Sequence, residues 1–359
     1  MRLRRLVARG FRNLAALDLE IPAAGVALLG ANGAGKTNLL EAIYYPVLFR
    51  SFRGASDAEV ARFGGEGFHV AVTFGDGQAP GTAAATWSAA GRDKRLEIDG
   101  APVRTLANAA GHWLAVAFLP SDTGLAAGAP SERRQYLDRM LALASPEYLR
   151  ALARYRQGIT RRNAALRKGE WKAAEAFEPA IAAAGAVVVA GRIIWTRGAA
   201  AEFTREFSAL GEPLLAELGY AGDVALADPA AWPERFRVHR DRDRQRGVTS
   251  VGPHRDDLKL TLAGRPLGRY GSTGQQRSAA IALKLLELAT LREARREEPA
   301  LILDDVFAEL DRDRQARLAD RLTGGGVRQA LVSSPRQEEL PEGLRLEVWE
   351  VAGGVVRSA

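Results

Sequence analysis

The sequence predicts an α/β fold of the P-loop kind with an α-helical block set into it, and three observations carry that reading. The run Gly30-Ala31-Asn32-Gly33-Ala34-Gly35-Lys36-Thr37 meets the pattern G-x-x-x-x-G-K-[ST] between an apolar run and a plausible helix. The apolar run Leu301-Ile302-Leu303 ends in two carboxylates, Asp304-Asp305. Between the two, residues 131–210 turn rich in Ala, Leu, Arg and Glu at helical spacing.

The elements follow in order. Residues 3–8 begin a strand, and Val26-Ala27-Leu28-Leu29 is a short apolar run closed by glycine, as a buried strand would be. Asn38-Leu39-Leu40-Glu41-Ala42-Ile43 opens the helix after the P-loop, and residues 70–74 form a further strand. Leu96-Glu97-Ile98 and Pro102-Val103 flank an Asp99-Gly100 turn, a hairpin signal, and residues 113–118 are another apolar run. Pro130-Ser131-Glu132 reads as a helix start, followed by Tyr136, Met140 and Leu141, then Tyr148, Leu149, Leu152 and Tyr155. The charge run Asp241-Arg242-Asp243-Arg244-Gln245-Arg246 reads as a loop. Residues 258–262, a Gly264 turn and Leu267 make a second hairpin. A helix over 275–295, the aspartate-ended strand, a helix over 312–322 and a strand over 329–332 close the chain, and this αβαβ order implies a parallel sheet. The expected division is a P-loop lobe over 1–119, a helical arm over 120–247 and a second ATPase segment over 248–359.

Composition limits the function classes. With 359 residues, 47% hydrophobic and 26% charged, the chain can bury a large core. It has no cysteine, which excludes disulfides, thiolate metal sites and a cysteine nucleophile, and suits the reducing cytosol. Met1 to Arg9 is basic without the apolar run of a signal peptide, and residues 181–191 are too short to span a bilayer before Arg192 ends them. A cytoplasmic protein with no membrane partner is expected. The net charge of +7 has two readings, a GC-rich genome or a footprint for nucleic acid. Residues 131–210 hold 14 Lys/Arg against 8 Asp/Glu, nearly the whole excess.

The motifs then supply chemistry. The P-loop glycines let backbone N–H groups curl around phosphate oxygens at a helix N-terminus. Lys36 would neutralise the β- and γ-phosphates of ATP, and the Thr37 hydroxyl would ligate Mg²⁺. Asp304 suits the second Mg²⁺ anchor, and Asp305 could orient or deprotonate the attacking water, although a carboxylate pair after a strand also serves as a helix cap or turn. Gly271-Ser272-Thr273-Gly274-Gln275-Gln276-Arg277 precedes a helix upstream of that strand; alone it is a helix cap. Placed between a P-loop and an aspartate-ended strand, it resembles the ABC signature motif, which closes on the γ-phosphate of the opposite subunit's ATP.

Longer segments carry a closer resemblance. They are Phe11-Arg12-Asn13-Leu14, Phe118-Leu119-Pro120, Ala129-Pro130-Ser131-Glu132-Arg133-Arg134-Gln135-Tyr136-Leu137-Asp138, Thr249-Ser250-Val251-Gly252-Pro253-His254-Arg255-Asp256-Asp257-Leu258 and Asp304-Asp305-Val306-Phe307-Ala308-Glu309-Leu310-Asp311. With the P-loop and signature they make nearly the whole chain resemble the RecF family, bacterial recombination and gap-repair ATPases related to Rad50 and SMC heads. The resemblance implies an ABC-type, Rad50/SMC head-like α/β ATPase domain with an inserted helical arm. It implies that Arg12 and Asn13 lie near the base and ribose, that Ser272, with Gly274 and Gln275, meets ATP in trans, and that residues 308–311 form a D-loop. It further implies an ATP-induced homodimer that binds double-stranded and gapped DNA without sequence preference, hydrolyses ATP slowly, and works with RecR and RecO to help RecA load.

The alternative class is the ATPase subunit of an ABC transporter. Such a subunit would usually show Glu at the position of Asp305 and His where this chain has Ser333-Ser334, and both departures favour the repair family. A Rad50-like zinc hook needs cysteines the chain lacks. No Q-loop glutamine is visible near Pro120-Ser121-Asp122, where Asp122 is the candidate substitute. His254 is read as turn structure, and Trp171 and Trp195 as arm core.

Overall fold

In the computed structural model, which describes residues 1–77, 79–324, 326–340 and 346–358, the chain forms two compact units. The first comprises Met1–Asp122 and Glu287–Ala359, the second Thr123–Leu286. Residues 248–286, grouped above with the ATPase, thus lie in the second unit. The reason is pairing: strand Asp257–Leu262 bonds to strand Ala216–Ala221, with Leu260 opposite Leu218.

The first unit holds two six-stranded sheets. One runs in the order Val355–Ser358, Glu347–Ala352, Gly25–Leu29, Ala330–Ser334, Ala300–Asp304, Ala115–Phe118. Its last five strands are parallel and the first is an antiparallel edge. Ala300–Asp304 and Ala330–Ser334 are buried at every position, which is why they read as unbroken apolar runs rather than alternating ones. The parallel ending was expected; the edge hairpin Glu347–Ala352 and Val355–Ser358 was not. The other sheet is antiparallel, and Gly67–Phe74 alternates strictly between partly and fully buried, as a one-sided sheet does. Its hairpin at Asp99-Gly100 forms as the dipeptide predicts: Ile98 faces Ala101, and the two turn residues have φ of 51° and 75°.

The second unit packs helices Pro130–Ala144, Pro146–Arg167, Glu178–Ala209 and Trp232–Arg246 with a three-stranded antiparallel sheet. Helix Glu178–Ala209 is long and apolar enough to cross a bilayer by length and composition, but 56% of its apolar window is buried inside the protein. It is the core helix of this unit. Gly185 lies where a Cβ would come within 2.3 Å of the Trp232 ring, so the missing side chain admits the indole. Trp195 packs partly buried against the core, edge-on to Tyr136, whereas Trp171 is at the surface under the Arg244 guanidinium.

The charge run 241–246 is the end of helix Trp232–Arg246, not a loop. Alternating signs concealed a structural residue. Asp243 is fully buried and accepts from Arg162 Nη1 at 2.8 Å and from the Ser250 amide at 2.9 Å, so the run is anchored to helix Pro146–Arg167.

Candidate nucleotide site

Every strand of the parallel sheet that the sequence marked as functional ends at the same edge. The P-loop leaves Leu29, Asp304 ends its strand, and Ser333 and Ser334 end the strand between them. That order puts Ser333 beside Asp304 and the P-loop helix, Lys36–Leu48, over both.

The cluster is tight. Thr37 Oγ1 donates to Asp304 Oδ1 at 2.9 Å, and Ser333 Oγ lies 2.8 Å from the same oxygen and 3.1 Å from Asp305 Oδ1. Ser333 Oγ also accepts from the Asp305 amide at 2.9 Å, holding that residue at a left-handed φ of 50°. Burial pushes the Asp304 carboxyl above its ordinary range, and the neighbouring charge of Asp305 adds to this. The hydroxyls of Ser333 and Thr37 and the charge of Arg53 pull the other way. Two adjacent carboxylates with a hydroxyl 2.9 Å away offer hard oxygen donors to a small divalent cation, and a cation there would offset the cost of burying them. The residues therefore fit Mg²⁺.

Lys36 is buried, its ammonium donating to the Gly30 carbonyl at 2.6 Å across the loop hollow. Gly33 and Gly35 have φ of 80° and 115°, conformations that let the loop turn its N–H groups inward ahead of the helix. Asn32 and Ala31 form the exposed rim.

Arg12 and Asn13 follow the first strand and reach the same helix. Arg12 makes a two-pronged pair with the fully buried Glu41, Nε at 3.0 Å and Nη2 at 2.9 Å, and donates to the Glu59 carbonyl at 2.7 Å. Ser51 Oγ also donates to Glu41. Asn13 Oδ1 accepts from Asn38 at 2.7 Å, and Asn38 accepts from Arg53 at 3.0 Å. Glu41, Asn38 and Arg53 were missed in the sequence, although a lone acid inside Leu39-Leu40-Glu41-Ala42-Ile43 was a signal. Asp122 accepts from the Leu119 amide at 2.7 Å, closing the turn after strand Ala115–Phe118. Asp311 caps helix Arg312–Gly324 through the Arg314 amide at 2.9 Å, and the side chain of Glu309 lies outside the described residues.

The signature segment belongs to the second unit. Ser272 and Gln275 form a reciprocal capping box, the Gln275 amide donating to Ser272 Oγ at 3.2 Å and the Ser272 amide to Gln275 Oε1 at 2.9 Å. Both Ser272 and Thr273 are exposed, with Gly274 behind them at the start of helix Thr273–Arg295. The two longest motifs meet in the same unit. Arg133 pairs with both oxygens of Asp257 at 2.7 and 2.8 Å, and Arg134 donates to the Asp256 carbonyl at 2.7 Å. Arg192, buried between them, donates to Asp138 at 2.7 Å and to the Pro253 carbonyl at 2.6 Å. His254 sits between Tyr155 Oη at 2.5 Å and the Thr249 carbonyl at 2.9 Å, a structural position.

No family model matches the chain. It is 36% identical over 372 aligned positions to the DNA replication and repair protein RecF of Anaeromyxobacter dehalogenans (strain 2CP-1), covering 99% of each chain. It is 35% identical to the protein of that name from Chloroflexus aurantiacus, covering 93% of this chain and 91% of the relative. A solved structure described as the recombination mediator protein RecF-ATP in the RecFOR pathway matches with a TM-score of 0.90 and 27% identity, covering 100% of this chain and 97% of that one. An Smc head bound to the C-winged helix domain of ScpA matches in fold, with a TM-score of 0.57 and 15% identity, covering 100% and 97%. On likeness along nearly its whole length, this chain belongs to the RecF family.

Proposed function

We propose that this protein is an ATP-operated DNA-binding switch of gap and recombinational repair in the cytoplasm. The observation that carries the reading is the Thr37–Asp304–Ser333–Asp305 cluster beside the P-loop lysine. Lys36 would move from the Gly30 carbonyl to the β- and γ-phosphates. Thr37 and Asp304 would hold Mg²⁺, which when bound neutralises charge developing on the transferred phosphoryl group. Asp305, bonded to Ser333, would orient or deprotonate the attacking water. Asn13 is assigned to the base and ribose end of ATP, and Arg12 supports that end through Glu41.

In this reading Ser272, Gly274 and Gln275 meet the γ-phosphate bound by a second copy of the chain, so ATP closes a head-to-tail homodimer. The closed dimer grips duplex DNA near a gap, with RecR and RecO as partners in loading RecA, and slow hydrolysis releases it. The ATPase would draw on residues 1–119 and 248–359, of which 248–286 pack within the second unit, with 120–247 as the arm. Support for the repair setting comes from the relatives named RecF.

Sedimentation of wild type, Lys36→Arg and Asp305→Asn, with and without Mg-ATP and gapped duplex, tests this. Wild type should dimerise only with ATP, Lys36→Arg should stay monomeric, and Asp305→Asn should accumulate as an ATP-bound dimer. A monomer under every condition would rule the switch out.

A further inference from the structure

The turn between the last two strands, Glu347–Ala352 and Val355–Ser358, reaches the nucleotide loop. The Gly354 amide donates to the Ala34 carbonyl at 2.8 Å, and the Gly354 carbonyl accepts from the Ala15 amide at 2.9 Å. A Cβ at Gly354 would lie 2.1 Å from the Asn13 carbonyl oxygen, and one at Gly30 would lie 2.2 Å from the Val351 carbonyl oxygen. A Cβ at Gly35 would meet Asn13 Oδ1 at 3.2 Å and Gly354 Cα at 3.3 Å. Three chain segments therefore touch through backbone, with no room for a side chain.

A trans peptide unit points its carbonyl and its N–H in opposite directions. Fixing the Ala34 carbonyl on Gly354 therefore aims the Gly35 N–H away from the turn. We propose that Gly354 is a positioning residue of the ATP site: the carboxy-terminal hairpin sets the orientation of the Ala34–Gly35 peptide and, through Asn13 and Ala15, couples the first-strand loop to it. The inference rests on reading Gly30–Thr37 as the ATP site.

The neighbouring Gly353 supplies an internal control. It also has a left-handed φ, 56°, yet a Cβ there meets nothing within 4 Å. Asparagine tolerates this conformation and is favoured in the first position of such hairpin turns. ATP affinity should be measured with a fluorescent ATP analogue on the full chain. Gly353→Asn should bind like wild type, while Gly354→Asn, with the same side chain one residue on, should bind roughly tenfold weaker or worse, because small displacements at such sites are amplified. Binding as tight as wild type by both Gly354→Asn and Gly353→Asn overturns the proposal. Failure of wild type to bind overturns the ATP-site reading instead.

Should Gly354→Asn not fold, hydrogen exchange on wild type decides. Mg-ATP should slow exchange of the Gly354 amide more than that of the Glu350 and Arg357 amides, which face each other as a hydrogen-bonded pair further along the hairpin. Equal or no protection at Gly354 would count against the coupling.

Discussion

Arg12 shows how a residue beside a site can be held for reasons of its own. Its guanidinium is bound at three points to Glu41 and Glu59, and Glu41 has no exposure to solvent. Removing one partner of a buried ion pair leaves an uncompensated charge and costs about 3–5 kcal/mol. Arg12 keeps 18% of its side chain exposed, and Ser51 and Arg53 remain near the acid, so the lower end applies. Arg12→Ala should lower unfolding free energy by about 3 kcal/mol in urea without nucleotide, with the pair-free Arg12→Met/Glu41→Leu protein less affected. If Arg12 mattered only through a bound base, the nucleotide-free stability would not change.

At the level of elements, the segment Gly252 to Asp257 ties strand to helices through titratable groups. Burial holds the His254 imidazole below its ordinary 6.5; Arg255 and Arg134 push the same way, and the Thr249 carbonyl and Asp243 oppose. A base whose pKa is depressed on folding binds more protons unfolded, so stability rises with pH between the two values. Acidification below about pH 6.5 should therefore destabilise the second unit, and His254→Gln, which can keep both hydrogen bonds, should lose less stability from about pH 6.5 to 5.5. Asp256, raised by burial, has the opposite slope at lower pH and is present in both proteins, so their difference in urea unfolding isolates the imidazole. Elements such as this one were only partly legible. Asp99-Gly100 and Gly264 announced their turns because the signal is in the turn residues themselves, with Leu262 facing Arg265 across the second, although Leu267, read as the returning strand, opens helix Leu267–Tyr270 instead. The helix over 241–246 was hidden because Asp243 finds its partner Arg162 far back in the chain. The P-loop and the Asp304 strand end, which the structure brings together, could be read from local pattern. Gly354 could not, since nothing in Gly353-Gly354 refers to Asn13 or Ala34.

For the molecule as a whole, the charge of +7 is concentrated where the helices of the second unit lie, residues 131–210 carrying 14 basic against 8 acidic side chains. Some of those arginines are spent internally: Arg133, Arg162 and Arg192 are bound to Asp257, Asp243 and Asp138. Others, such as Arg150, Arg154 and Arg161, lie on exposed positions of helix Pro146–Arg167. Binding through phosphates at six or more points should weaken by about a thousandfold or more between about 50 and 200 mM salt, with little dependence on base sequence. Fluorescence anisotropy with Mg-ATP across that range checks it, and affinity indifferent to salt would exclude phosphate contacts as the basis of binding.

The hairpin that clasps the P-loop also dictates when the site can exist. The strand leading into the loop pairs Leu29 with Ser334 on one side and with Glu350 on the other. A ribosome has released the lysine, the threonine and all three glycines of the loop long before either neighbour is made. Until then the strand has two open edges, and closing them means gathering most of the chain into one loop, a slow, high-contact-order step. The P-loop is translated among the first of the chain's motifs and is among the last to be assembled.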